Sequence, residues 1–246
     1  MRIPLFIDPS KWTVVVFGGG KVGTRRALKF KDAGAKVRVV ANEFTEELKN
    51  TEGIELVKKD IKSKDEIREL IEDADLVVIA TSSKALNDMI YEVANEMGKL
   101  INDATNAKRS DVHVPFETEV EGIRIAVTSE GASGVSAHLA LAIIEKCLKN
   151  NQFWININEF ATRFKEMLKE NVDDPKRRFG LYWYVMLQKP VVELIRRGNI
   201  DEALKLAMDI AKNEEKGITD IAKAMSIFLS EWGDELLAST SSLHED

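Results

Sequence analysis

The first hundred residues switch regularly between two hydrophobic periods. Trp12–Phe17 (WTVVVF) is a run of β-branched and aromatic residues, the composition of a buried strand. Lys21–Ala33 then sets Val22, Ala27, Leu28 and Phe30 at helical spacing, and Gly34 ends it. Lys36–Ala41 predicts a second strand, and Thr45 caps a short helix through Lys49. Ile54–Val57 predicts a third strand, Lys64–Glu72 a helix and Asp75–Ala80 a fourth strand. Lys84–Met97 reads as a helix ended by Gly98, and Lys99–Asn102 as a fifth strand. Strands alternating with helices at this spacing predict a parallel sheet wrapped by helices. The connections between such strands are right-handed crossovers.

The pattern changes near residue 111. Val112–Val120 and Ile123–Ser129 predict two strands joined at Glu121-Gly122, a hairpin-turn signal. A small-residue loop follows, and Val135–Lys149 predicts a long apolar helix. Beyond Asn151 no strand pattern remains. Helices are expected at about 156–171, 181–197, 200–213 and 217–233, punctuated by Pro175, Pro190, Gly198 and Gly217. The chain therefore reads as α/β, with a Rossmann-type unit over 1–111 and a hairpin-plus-helix connector over 112–150. An all-α domain follows over 151–235, and 236–246 reads as a frayed tail.

Composition narrows the classes. The chain has 246 residues, 44% hydrophobic and 31% charged, enough to bury a core without staples. One cysteine, Cys147, and three scattered histidines leave no disulfide and no metal-ligand spacing. No apolar run approaches the ~20 residues of a membrane span, and Pro4 and Asp8 interrupt any signal-peptide pattern. A cytoplasmic protein is expected. Lys and Arg number 35 against 41 Asp and Glu, a net charge of −6. That acidity argues against nucleic acid as a partner, and leaves room for a small anion on a local basic patch.

Four stretches offer chemistry. Gly18-x-Gly20-x-x-Gly23 follows a predicted strand and opens a predicted helix, the setting of a dinucleotide fingerprint. The first glycine permits the turn, the second lets backbone approach a pyrophosphate, and the third lets helix and strand pack. Asn42 and Glu43, at the end of the second strand, are placed for the ribose hydroxyls. An acid there favours NAD over NADP by repelling a 2′-phosphate. The second stretch, Ile101–Pro115, gathers Asn102, Asp103, Thr105, Asn106, Lys108, Arg109, Asp111 and His113 where α/β folds bind ligands. It supplies a general base and an anion clamp, or is an ordinary polar loop. The third, Thr128–Ser136, is an anion site or a helix cap through Ser133 or Ser136. The fourth, Lys176-Arg177-Arg178-Phe179-Gly180, holds carboxylates or is a solvated face.

Taken in order, these motifs resemble the precorrin-2 dehydrogenase family, the N-terminal module of siroheme synthases. Pro4-Leu5-Phe6-Ile7 is similar to the family's opening segment, and Val16–Ala27 resembles its VGGG-x-VA-x-RKA. Lys36–Phe44 is similar to its second strand and turn, and Ala80-Thr81 to the end of its fourth strand. Thr128–Gly134 resembles its small-residue loop, and Lys176–Phe179 its basic stretch. The resemblance covers roughly residues 3–210. It implies NAD-dependent dehydrogenation of precorrin-2, a tetrapyrrole, to sirohydrochlorin. In bifunctional members it also implies insertion of Fe²⁺ by a ferrochelatase activity, and it implies a homodimer. It sets Lys21, Val22, Asn42 and Glu43, with the glycines and Thr81, at NAD. It sets Ser133 at the tetrapyrrole. Lys108, Arg109, Lys176, Arg177 and Arg178, with Asn102, are the candidates for the substrate and its carboxylates.

One position departs from the family. Its fifth strand is followed by N-x-x-D, whose aspartate is the catalytic residue, and this chain has Asn102-Asp103-Ala104-Thr105. Thr105 fills the aspartate slot and is no base at neutral pH. Asp103 and Asp111 are the alternatives for the base. A non-catalytic NAD- or tetrapyrrole-binding regulator, or a chelatase alone, are the competing readings.

Overall fold

A computed structural model describes residues 2–214 and 217–238. The described chain forms two compact units. One holds the residues up to Pro115 together with Thr128–Gly134. The other holds Phe116–Val127 and the residues from Val135 onward.

The first unit alternates strand and helix: β1 (Thr13–Phe17), α1 (Lys21–Asp32), β2 (Lys36–Ala41), α2 (Glu46–Lys49) and β3 (Ile54–Lys58). It continues with α3 (Lys64–Ile71), β4 (Leu76–Ile79), α4 (Lys84–Glu96) and β5 (Leu100–Asp103). All five strands are parallel, in the order β3-β2-β1-β4-β5. The β-branched runs are buried on both faces, as a parallel sheet between helices requires. Val14, Val16, Val37, Val39 and Val78 face Ala27 and Leu48 on one side. Val15, Phe17, Val77, Ile79 and Ile101 face Ile67, Ile71, Ile90 and Val93 on the other. Each fully buried Val or Ile contributes roughly 1.5–3 kcal/mol relative to exposure, so this alternation holds the register. A slip of one residue would exchange the two faces.

The register aligns the strand ends. Phe17 pairs with Val40 and Ile79, and Ile79 pairs with Asp103. Gly18, Ala41, Ala80 and Ala104 therefore leave the sheet at one level. Between β1 and β4 the connections diverge to opposite sides, which opens a crevice there. After β5 a 3-10 turn (Ala107–Arg109) carries the chain back. Arg2 donates to the carbonyl of Ser110 at 3.0 Å and pairs with Glu130 at 3.1 Å. These bonds, with Gly131 packed on Ala107, place Thr128–Gly134 in this unit.

The second unit contains the hairpin β6 (Phe116–Val120) and β7 (Ile123–Val127) and six helices among its described residues. They are α5 (Gly134–Lys149), α6 (Gln152–Asn171), α7 (Pro175–Met186), α8 (Lys189–Arg196), α9 (Ile200–Asn213) and α10 (Ile221–Ala238). Its core is aromatic on α6, where Phe160 and Phe164 stack at 5.3 Å between centroids. The helix expected over 181–197 is two helices. Pro190 lacks an N–H, so it is accommodated only in the first turn of a new helix, α8. The basic triplet is helical as well, because Asp174 accepts from the N–H of Lys176 and Pro175 opens α7. Helix α10 starts later than expected, where Asp220 accepts from the N–H of Lys223. It also runs past residue 233 and takes in Leu236–Ala238 of the expected tail. Residues 239–246 lie outside the described residues. Among the described residues no helix is long and apolar enough to cross a membrane.

Candidate functional site

The glycine loop is shaped by what it lacks. Gly18 has φ +117°, and a Cβ there would overlap the carbonyl of Ala80 at the end of β4. A Cβ on Gly23 would overlap the carbonyl of Gly18, so the third glycine closes the turn as well as packing the helix. Gly19, not singled out from the sequence, is as constrained: its Cβ would overlap the carbonyl of Glu43. Gly20 has nothing near its missing Cβ and faces open space. Two bonds clamp this loop to the segment after β2. Thr45 N–H donates to Gly19 O at 3.1 Å, and the hydroxyls of Thr24 and Thr45 are 2.8 Å apart.

The helix ends around the crevice are treated differently. Thr45, Ser63 and Ser83 each cap their helices with a side chain. Helix α1 begins at Gly20 with no side-chain cap. Its first-turn N–H groups and its positive end are thus left for an anion. A cavity of about 330 Å³ lies against this loop. Gly18, Gly19, Gly20, Asn42, Glu43, Thr81 and Asp60 line it. Glu43 has no partner among the described residues and is exposed, so its carboxylate is available to ribose hydroxyls. Asp60, Ser82 and Ser83 were not read from the sequence. Lys21 and Val22 are exposed in the first turn of α1 and do not line this cavity. The residues fit a dinucleotide: a Cβ-free cradle, an uncapped helix start and a free carboxylate beyond β2.

The segment after β5 is a dense polar network. Asp103 is fully buried. Its Oδ1 accepts from Thr105 N–H at 2.8 Å, Thr105 Oγ1–H at 2.7 Å and Asn106 N–H at 3.0 Å. Its Oδ2 accepts from Arg109 Nε–H at 2.6 Å. Arg109 also donates to Asp88 of α4 at 2.6 Å and lies over the Tyr91 ring at 4.7 Å. Burial opposes the Arg109 charge, but the bonds from Asp88 and Asp103 prevail and raise its pKa above the ordinary guanidinium value. Asp103 is thus enclosed by donors at the end of its strand. Thr105 is exposed, and Asn87 Nδ2 donates to its hydroxyl at 3.4 Å. Thr81 Oγ1–H in turn donates to Asn87 Oδ1 at 2.6 Å.

The remaining candidates separate. Asn102 points to the opposite face from Asp103, as strand alternation demands. It donates to Val112 O at 2.8 Å, and its buried Oδ1 has no partner among the described residues. Asp111 accepts from Ile101 N–H at 3.1 Å, two residues back along β5 from Asp103, or roughly 7 Å from the strand end. Ser133 N–H donates to Ser129 Oγ at 2.9 Å just before α5. In the helical unit Arg177 donates to Glu214 O, and Arg178 to Val172 O and Asp173 O. Lys108 and Lys176 are exposed, and their ammonium groups have no partner among the described residues. No cluster of three His, Cys, Asp or Glu suited to a metal stands among the described residues.

Residues 5–116 match a family model described as putative NAD(P)-binding. The chain is 30% identical over 182 residues to a putative precorrin-2 dehydrogenase of Methanocaldococcus jannaschii. That match covers 72% of this chain and 85% of the relative. It is 29% identical over 203 residues to a siroheme synthase of Nitrosococcus oceani, covering 82% of this chain. The chain spans only 42% of that longer protein. Among solved structures, SirC, a precorrin-2 dehydrogenase, shares the fold with a TM-score of 0.62 at 19% identity, covering 83% of this chain and 99% of SirC.

The glycine geometry makes a direct prediction. Gly19→Ala pushes the Glu43 carbonyl and its loop outward. The NAD⁺ dissociation constant rises about tenfold or more, the equivalent of roughly 1.4 kcal/mol, while circular dichroism is unchanged. Calorimetric titration checks this, and unaltered affinity would remove Gly19 from the cradle.

Proposed function

The chain belongs to the precorrin-2 dehydrogenase family, and from that premise we propose that it oxidises precorrin-2 to sirohydrochlorin with NAD⁺. The observation that carries this reading is the uncapped start of α1 above a Cβ-free glycine loop, at the point where the sheet order reverses. NAD⁺ supplies the acceptor for a hydride. The protein's part is to hold and orient. Backbone N–H groups at Gly20 and the first turn of α1 bind the pyrophosphate. Glu43 bonds the adenosine ribose and disfavours a 2′-phosphate. Thr81, Asn87 and Thr105 line the far side of the crevice. In the first unit Lys108 is left over for a substrate carboxylate, with Ser133 as a further contact by the family pattern; Lys176, in the helical unit, is likewise exposed and unpaired among the described residues. Arg178 holds the carbonyls that precede α7, and Arg177 ties α7 to the end of α9 at Glu214.

Among the three carboxyl-slot candidates, the roles divide by burial. Asp103 is a positioning residue, because its lone pairs are occupied by Thr105, Asn106 and Arg109. Thr105 is a lining group. Asp111 secures the β5 edge. A cytoplasmic location goes with this reading, since the oxidant comes from the cell's own dinucleotide pool.

A second copy of the chain completes the assembly. Val135, Leu139 and Ile143 form a stripe along α5 and are 72%, 57% and 69% exposed. Spaced four residues apart, they share one helix face. An apolar row of this kind is covered in a homodimer. Light scattering is expected to give twice 27.6 kDa, and Ile143→Glu to return the protein to its monomer mass. A monomeric wild type removes the dimer.

The activity is tested anaerobically with fresh precorrin-2 and NAD⁺. NADH absorbance and the sirohydrochlorin spectrum are expected to grow together. NAD⁺ binding without turnover favours the non-catalytic reading, with Thr105 as its cause. Adding Fe²⁺ afterwards reads the second activity of bifunctional members. Conversion of the sirohydrochlorin spectrum to siroheme assigns ferrochelation to this chain, and its persistence removes it.

A further inference from the structure

The dehydrogenation needs a proton acceptor, and the family's aspartate slot holds Thr105. The crevice itself supplies another. Beside the cavity at the glycine loop lies a second one of about 280 Å³, which shares Thr81 and Ser82 with it. The first cavity reaches toward Asn42 and Glu43 after β2, the adenosine side. The second lies across β4 toward β5, where the other end of a dinucleotide falls. Thr105, Asn106, Arg109, Lys84 and Asp88 line it. Asp88 is the one carboxylate among those lining residues.

Its surroundings suit a base. Asp88 is half-buried on α4, and Lys84 stands one turn before it on the same face. Arg109 holds Oδ1 at 2.6 Å. Arg109 is itself fixed by the buried Asp103 and by Tyr91. Oδ2 has no partner among the described residues. One oxygen is therefore anchored, and the other has no protein partner on a residue that lines the cavity. Of the rival carboxylates, Asp103 is occupied by four donors, and Asp111 lies away from the strand end with its Oδ2 on Ile101 N–H.

We propose that Asp88 is the general base of this chain, acting in place of the family aspartate. The proposal rests on the dehydrogenase reading. In the step assigned to it, a bond to hydrogen on the macrocycle breaks and the proton passes to Oδ2. The electron pair of that bond becomes the new double bond as a hydride leaves the neighbouring carbon for NAD⁺. Lys84 lines the same cavity and is placed to take one of the substrate's own acid groups, while Arg109 stays with Asp88 and Asp103.

The test compares wild type, Asp88→Asn and the double variant Asp88→Asn/Thr105→Asp. Asparagine keeps an oxygen for Arg109 and removes the base. Asp88→Asn is expected to lower kcat by about a hundredfold or more, with KM for precorrin-2 within about twofold, the margin of a uniform binding change. The acid limb of its kcat–pH profile disappears. Its NAD⁺ affinity, read by titration without substrate, stays at the wild-type value. Thr105→Asp restores turnover to the Asp88→Asn background, because residue 105 lines the same cavity. Wild-type turnover with an Asp88→Asn variant of equal rate and pH profile overturns the proposal alone. A fall in NAD⁺ affinity equal to the fall in rate also overturns it, in favour of a structural role. Wild type that binds NAD⁺ without oxidising precorrin-2 overturns the dehydrogenase reading and this proposal together.

Discussion

Helix α1 can begin directly above the end of β1 only because no side chain stands between them. Cβ atoms at Gly18, Gly19 and Gly23 would meet the carbonyls of Ala80, Glu43 and Gly18. Three backbone segments, the ends of β1, β2 and β4, thus converge on one loop. Their convergence brings the uncapped helix start to the place where the sheet order reverses. Partial positive charge, free N–H groups and space for a phosphate coincide there as a consequence of packing. The acid after β2 and the hydroxyls after β4 are then set on opposite sides of the same crevice.

A second constraint organises the β5 side. A buried carboxylate is costly unless paired and hydrogen-bonded. Asp103 meets both conditions, with three donors from its own loop and one from Arg109. The loop after β5 is folded around this charge. Arg109 then extends to Asp88 and joins α4 to the loop. Asp103, a candidate base by sequence, becomes an anchor by burial. The exposed end of the network, at Asp88 and Thr105, lines the cavity beside Lys84.

Much of this was legible in the residues. The strands of the parallel sheet are short runs whose character is unmistakable, and the cap at Thr45 follows from its hydroxyl before two acids. The glycine spacing located the cradle. Local patterns show less where contacts join distant positions. Asp88 sits inside a helix with ordinary amphipathic spacing, and only its ion pair with Arg109, 21 residues on, brings it into the site. Asp60 follows a strand whose neighbours in the sheet are fixed by topology. The burial of Asp103 depends on four donors that no composition reveals. In the helical unit Pro190 marked a break, but the apolar spacing ran through it and masked the start of α8. The side chains of Arg177 and Arg178 read as free cations in sequence, and their bonds to backbone carbonyls appear only in three dimensions.

In the proposed function one dinucleotide spans the carboxyl edge, with its adenosine over β2 and its nicotinamide over the cavity of Thr105 and Asp88. A crystal structure of the protein with NAD⁺ tests this most directly. The pyrophosphate is expected on the N–H groups of Gly20 and the first turn of α1, and the nicotinamide ring beside Thr81 and Asp88. A pyrophosphate elsewhere, or a nicotinamide turned away from the β5 side, would contradict this placement.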